Sequence, residues 1–579
     1  MNHNFPIFTV ENECQDCYKC VRHCPCKAIK VVNGSASVMP ELCVACGHCV
    51  KVCPAKAKCI RPDLSRARFL LSRKPRVFAS IAPSYVSFFR NTDRKALVGA
   101  IKKLGFAGVS ETALGAQIVS AETGKLLQET DRGTFISSAC PAAVDYIRKY
   151  IPEMADKITP VLSPLLSHAK FLRKTYGDDI GIIFFGPCAA KKQEADRHSD
   201  ILDLALTFED LTMWMEQDGV FPGDSSIPEG DFEPEFAAEG RVYSIEGGMN
   251  ETLRGNPDDN TYYISVSGLN NIERILGDIK GDLPHDIRLF IECLACAGGC
   301  VNGPAMPRHG SDLAALLATA KQFPHRNSLA REVPVRIAEA VRPDPPVEPE
   351  VSEEQILAAL SMVGKHTLAD ELNCGGCGYP TCRDFARALV IGKAEIPMCL
   401  SNLRRLSQKK SNALIRYIPS GVVIVDRHLQ IIECNELFAN LFDESTSLAY
   451  QATPGLPGVD ISNIVDFTEL FEAALASGGD LVRENHMLGD KIFNINVFTI
   501  EPHHIVGAIV QDVTQSEMRR EHISQKAREV IQKNVFTVQQ IAKALGEHMA
   551  ETEILLREVA SGYQKTGSGP SNGDSSNGL

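Results

Sequence analysis

FISSACPAA (135–143) decides how this chain is read, with FFGPCAAKKQEADR (184–197) and ECLACAGGCVNG (292–303) as its companions. In each stretch a cysteine stands where an apolar run gives way to small residues. RVFASIAP, DIGIIFFGP and IRLFIECLA read as buried strands, and KALVGAIKKL and AAVDYIRKYI as amphipathic helices. This alternation predicts α/β layers with parallel strands between about 75 and 335. Cys140 and Cys188 then lie at strand C-terminal ends beside helix N-termini, where backbone N–H groups favour an anionic group. Cys296 and Cys300 bracket Ala-Gly-Gly, which lets backbone approach a ligand closely. Four thiolates from separate segments can hold one [4Fe–4S] cubane.

The chain has 579 residues and 20 cysteines. Disulfide frameworks belong to small secreted domains. This chain is long, and MNHNFPIFTVENEC lacks a signal-peptide pattern. No apolar run approaches the ~18 residues of a membrane helix, and a net charge of −12 gives no attraction to nucleic acid. A reducing cytoplasm, in an anaerobe, is the expected setting. Cys14-x2-Cys17-x2-Cys20-x3-Cys24-Pro repeats, offset by 29 residues, as Cys43-x2-Cys46-x2-Cys49-x3-Cys53-Pro. This duplication resembles bacterial two-cluster ferredoxins, whose fourth cysteine crosses to the other cluster. The resemblance implies one [4Fe–4S] cluster on Cys14, Cys17, Cys20 and Cys53 and another on Cys43, Cys46, Cys49 and Cys24. A pair of zinc sites is the alternative.

Residues 75–335 resemble the catalytic domain of [FeFe] hydrogenases, on the three cysteine stretches quoted above. The resemblance implies an H-cluster: a cubane on Cys140, Cys188, Cys296 and Cys300, with Cys300 bridging to a two-iron subsite that carries CO, CN and a dithiolate. Ala82-Pro83-Ser84 and Ser163-Pro164 match the family's pocket segments. Lys191, three residues after Cys188, matches the lysine that donates to a cyanide ligand, and Lys191 and Cys300 are the implied catalytic residues. A merely solvated helix face is the alternative for Lys191 and Lys192. Departures are equally specific. Family members usually carry a proton-relaying cysteine where this chain has Ala139. Pocket methionines correspond to Gly186 and Leu294, a pocket glutamine to Leu165, and paired acids on the relay helix to Glu122 and Thr123. Proton transfer needs a chain of groups of matched pKa, so turnover is expected to be slow.

The stretch 336–356 is rich in Pro and Glu and reads as an extended linker. Cys374-x2-Cys377-x4-Cys382 and Cys399, within 357–407, resemble a small four-cysteine [4Fe–4S] domain, with a zinc knuckle as the alternative. Residues 408–515 alternate as antiparallel strands do and resemble a PAS sensor domain. His428, His503 and His504 read as surface residues rather than haem ligands, and Cys434 as a small packed residue. Residues 516–562 carry an a/d seam through Ile531, Val535, Val538, Ala542, Leu545, Met549, Thr552, Leu556 and Val559, which predicts a dimerising coiled coil. An amphipathic helix packed on its own domain is the alternative. The tail 563–579 reads as disordered.

The expected architecture is multidomain α/β: an α+β ferredoxin-like module (1–65), an α/β H-cluster domain (75–335), a small cluster domain, an α+β PAS domain and a coiled-coil helix. The order resembles sensory (group C type) [FeFe] hydrogenases. It implies slow, reversible H2 ⇌ 2 H+ + 2 e−, ferredoxin or a similar redox partner, H-cluster maturation proteins, and a separate phosphatase or kinase that reads the signal. A catalytic ferredoxin-linked hydrogenase and a non-enzymatic iron–sulfur protein remain as alternatives.

Overall fold

The structure, a computed structural model, describes residues 5–254, 261–279, 287–307, 312–321 and 333–563. Of the tail read over 563–579, positions 564–579 lie outside the described residues. The chain divides into two units, Met1–Leu403 and Arg404–Leu579.

The first unit opens with β1 (Ile7–Thr9), β2 (Ile29–Val32), β3 (Ser35–Val38) and β4 (Lys58–Ile60). β1 pairs antiparallel with β4, and β2 with β3. The sequence duplication is repeated in the backbone. Asp16 and Ala45, Tyr18 and Gly47, and Lys27 and Lys56 all have positive φ, each pair 29 residues apart. Five of these six carry side chains, and each such residue in the left-handed region costs on the order of 1–3 kcal/mol. The strain turns the loops tightly enough for backbone N–H groups to reach sulfur: Ala28 N donates to Cys24 Sγ and Ala45 N to Cys43 Sγ, both at 3.4 Å.

Seven strands follow: β5 (Val77–Ile81), β6 (Gly108–Glu111), β7 (Gly133–Ile136), β8 (Gly181–Gly186), β9 (Leu204–Thr207), β10 (Thr261–Ser267) and β11 (Arg288–Leu294). They form two parallel sheets, ordered β6-β5-β8-β9 and β10-β11-β7. β5 and β8 are buried at every position, which explains their unbroken apolar runs. Helix Pro141–Tyr150 starts at Cys140 just after β7, and helix Pro164–Tyr176 is capped by Ser163.

Two buried polar groups knit this core. His168 is held between Ser80 Oγ at Nδ1 and Ser110 Oγ at Nε2, both 2.9 Å. One serine donates and the other accepts, which suits a neutral ring, and burial lowers the imidazole pKa to about 3. The unfolded chain takes up this proton near pH 6.5, while the fold refuses it. Stability is therefore complete above that pH and is lost as pH falls. Between pH 7 and pH 5 the loss should be about 2 kcal/mol, measured by denaturant unfolding and absent in His168→Gln. Lys192 is fully buried, with Nζ 2.7 Å from Arg61 O and 3.1 Å from both Asp63 and Asp210 carboxylates. It is no solvated helix residue: it ties helix Ala190–Arg197 to the segment leaving the ferredoxin-like module. Lys192→Met should cost about 3 kcal/mol, because Asp210 loses its cation while Asp63 keeps Arg61 and Arg66; the midpoint of denaturant unfolding checks this.

The stretch read as a linker is extended but held in place. Leu162 N donates to Ile337 O, Glu339 N to Pro160 O and Asp344 N to Arg148 O, and Ile337 is buried. Ile337 and the alternating exposure around it were hidden by the Pro/Glu composition. Helix Glu353–Met362 begins inside the same stretch, on a Ser352/Gln355 capping box. Helices Cys382–Val390 and Leu400–Tyr417 complete this region. It meets the N-terminal module where Val31 N donates to Lys393 O at 3.0 Å.

The second unit holds a five-stranded antiparallel sheet of β12 (Gly421–Asp426), β13 (Ile431–Cys434), β14 (Leu481–Leu488), β15 (Lys491–Glu501) and β16 (Ile505–Asp512), in the order β13-β12-β16-β15-β14. Cys434 is buried among Val423, Phe438 and neighbouring apolar residues, and His428, His503 and His504 are exposed. Helix Thr514–Tyr563 runs 50 residues, and its apolar seam is exposed: Val538 is 64% and Met549 70% accessible. No described helix is long and apolar enough to cross a membrane.

Candidate functional site

The crossing of the two parallel sheets brings the three cysteine stretches together. β7 delivers Cys140, β8 delivers Cys188, and β11 runs into the loop that carries Cys296 and Cys300. Glycine makes the last approach possible. Gly299 has φ +104, and a Cβ there would stand 2.5 Å from Ser244 O; at Gly303 it would stand 2.7 Å from Pro187 O. The thiols face one another. Burial first, then Cys140, raises the Cys188 pKa to about 11. Burial, then Cys140 and Cys188, raises that of Cys300, and the Cys296 thiol feels all three. All four are free of disulfides.

A cavity of about 90 Å3 lies beside Cys300. Ala82, Pro83, Ser84, Pro164, Cys140, Cys188 and Lys191 line it, together with Ala139, Leu165 and Leu294. Ser163 stands behind the wall, its Oγ 3.0 Å from Lys191 Nζ, and Glu194 Oε2 lies 2.7 Å from the same ammonium. Gly186 leaves no void: a Cβ there would meet the Phe184 ring at 2.3 Å, and Phe184 itself lines the cavity. Ser84 Oγ and Ser244 Oγ are buried without a hydrogen-bond partner in the protein.

Three features escaped the sequence reading. Tyr243 and Ser244 join the wall from the short 3-10 helix Glu239–Ser244, which carries no motif, and Tyr243 OH lies 2.6 Å from Ser120 Oγ. Glu292 is buried, accepts from Met249 N at 3.1 Å and from Ser265 Oγ at 3.3 Å, and burial raises its pKa to about 7. Its position four residues before Cys296, at the end of a buried strand, was the available signal. Cys26 hydrogen-bonds Cys24, and this bond is the first cause of a Cys24 pKa lowered to about 7.

The N-terminal cysteines fall into two groups. Behind burial, Cys14, Cys17 and Cys53 act on the Cys20 thiol; behind burial, Cys43, Cys46 and Cys24 act on that of Cys49. Cys46 also feels Cys188 and Cys140. Behind burial, Cys399 and Cys374 act on Cys377, while Cys382 opens its helix with its N–H on Asn373 Oδ1 at 2.7 Å. Among the described residues, no three His, Cys, Asp or Glu side chains converge on a single-ion position; a cubane spreads its thiolates over four corners. These donor sets fit iron–sulfur cubanes. Buried thiols that raise one another's pKa need a cationic core to ionise together. The cavity fits a polar, anionic diatomic-bearing group, because its unpartnered hydroxyls and ammonium all offer donors.

A thiolate-lined cavity fed by further cysteine groups defines an iron–sulfur redox protein. Residues 75–304 match the iron only hydrogenase large subunit, C-terminal domain. Residues 7–54 match a 4Fe-4S dicluster domain and residues 370–401 an Fe-S cluster domain. Iron hydrogenase 1 of Clostridium pasteurianum is 25% identical over 41% of this chain and 50% of that protein. The periplasmic [Fe] hydrogenase large subunit of Nitratidesulfovibrio vulgaris is 25% identical over 36% of this chain and 62% of that protein. The chain thus spans less than two thirds of either relative. A variant of the [FeFe]-hydrogenase HydA1 from Chlamydomonas reinhardtii aligns in structure over 49% of this chain and 99% of that one, at 16% identity and a TM-score of 0.39.

Proposed function

We propose that this chain is a sensory [FeFe] hydrogenase that interconverts H2 with two protons and two electrons at low turnover. The cavity beside Cys300 carries the reading: it combines a thiolate and an ammonium with two unpartnered hydroxyls, yet presents only the methyl of Ala139 where a relay thiol would stand. The bound H-cluster would supply the site at which dihydrogen is split. Cys140, Cys188, Cys296 and Cys300 would hold it, and Lys191 and Ser84 would donate to its anionic ligands. Pro83, Ala82 and Pro164 exclude water from the wall, and Lys191 is held in place by Ser163 and Glu194.

A cubane on these thiols would accept the two electrons, with Cys46 facing Cys140 and Cys188 on the way out, and the two protons would leave through the cavity. Cys14, Cys17, Cys20 and Cys53, then Cys24, Cys43, Cys46 and Cys49, and Cys374, Cys377, Cys382 and Cys399 would hold clusters that supply one-electron relay. Ferredoxin or a similar carrier exchanges the electrons, and maturation proteins install the two-iron group. The C-terminal sheet serves as the PAS sensor. The exposed seam of helix Thr514–Tyr563 pairs with a second copy of the chain, and a separate phosphatase or kinase reads the output from the cytoplasm.

The test is infrared spectroscopy of the protein matured with its two-iron group. Bands from iron-bound CO and CN that change under H2 support the reading. Their absence, with intact cubanes, overturns it in favour of an electron-transfer or scaffold protein.

A further inference from the structure

We propose that the third cluster, on Cys374, Cys377, Cys382 and Cys399, is wired to the cluster nearest the hydrogen site, on Cys24, Cys43, Cys46 and Cys49, and that Lys27 is the cation shared between them. This rests on the ligand sets given under Proposed function. The small cluster domain docks on the helical turn Lys19–Arg22, which carries Cys20 of the first ferredoxin cluster and leads to Cys24 of the second. Gly378 sits so close that a Cβ would stand 3.0 Å from Arg22 N, with φ at +95. Val21, Tyr379, Met398 and Cys399 share one apolar core.

The contacts favour one of the two ferredoxin clusters. The Lys27 ammonium faces Cys24, Cys377 and Cys26, and the Tyr379 ring faces Cys377 and Cys24. Cys24, Lys27 and Tyr379 border a common open cleft. The opposite side of the same ferredoxin cluster looks at the hydrogen site, where Cys46 meets Cys140, Cys188 and Cys296. That cluster is therefore a junction with the hydrogen site on one side and two exits beyond: the Cys14 cluster and the Cys377 cluster. Transfer to the third cluster moves one electron, oxidising the junction and reducing its neighbour, with no bond made or broken. The shared ammonium stabilises the reduced, more negative form of both clusters.

The duplication supplies a control. Lys56 occupies the position equivalent to Lys27, 29 residues later, and is exposed. The experiment uses the full chain with its [4Fe–4S] clusters but without the two-iron group, so its failure and that of the hydrogen reading are distinguishable. Redox titrations followed by EPR would assign the third cluster by its loss in Cys399→Ala. In Lys27→Met, the midpoint potentials of the third and junction clusters should both move negative, while that of the Cys14 cluster stays. Lys27→Arg should keep the wild-type values, and Lys56→Met should leave the third cluster unmoved. In the fully reduced wild type, spin coupling should join the third cluster to the junction. An unmoved third cluster in Lys27→Met, or coupling to the Cys14 cluster instead, overturns the proposal.

Discussion

Ala139→Cys should raise H2 turnover by about 10²-fold, since a positioned proton donor contributes typically 10²–10⁴-fold. Ala139 lines the cavity with Cys300 and Lys191, half-buried at the end of the segment leaving β7. A thiol there would present an acidic proton to the reacting centre, where the methyl presents none. The measurement is H2 evolution from a reduced dye at equal two-iron content in variant and wild type. Unchanged turnover would mean that protons already leave by another route, and the tuned-down sensor would give way to an ordinary catalytic enzyme. Glu292 and the Tyr243–Ser120 pair are groups such a route would draw on: Tyr243 lines the cavity and bonds Ser120, and Glu292 acts on the Cys300 thiol.

Cys300→Ala should abolish turnover and remove the CO and CN infrared bands altogether, while the N-terminal and third clusters keep their EPR signals. Cys300 joins the group of four thiols and lines the cavity, as Cys140 and Cys188 also do, and it comes from the loop shaped by Gly298 and Gly299. Its removal takes the tether but leaves Cys140, Cys188 and Cys296. Retained CO and CN bands in this variant would show that Cys300 is not the bridge, and the ligand assignment would fall with it.

The cysteine stretches and the strands that deliver them were legible because both depend on local pattern. Buried parallel strands print continuous apolar runs, and cluster loops print fixed spacings with glycine. Tyr243, Ser244 and Glu292 were not legible, because they reach the cavity through the crossing of two sheets, a tertiary event with no local period. Ile337 was masked by composition, since Pro and Glu around it suit an extended segment whether pinned or free. For Lys192 a solvated helix face stood as the alternative; only the carboxylates of Asp63 and Asp210, distant in sequence, reveal that it is buried. The helices Glu444–Ala452 and Thr468–Ser477 were missed for want of a strong amphipathic stripe.

Helix Leu400–Tyr417 begins at the residue after Cys399, with no loop between. At 1.5 Å per residue its 18 residues make a bar about 27 Å long. Its far end is clasped: Asn435 Nδ2 donates to Ile415 O at 3.0 Å and to Ser420 O at 2.8 Å. The same carboxamide accepts from Val422 N at 2.9 Å, so one side chain pins the last turns of the helix to the first strand of the sheet that follows it.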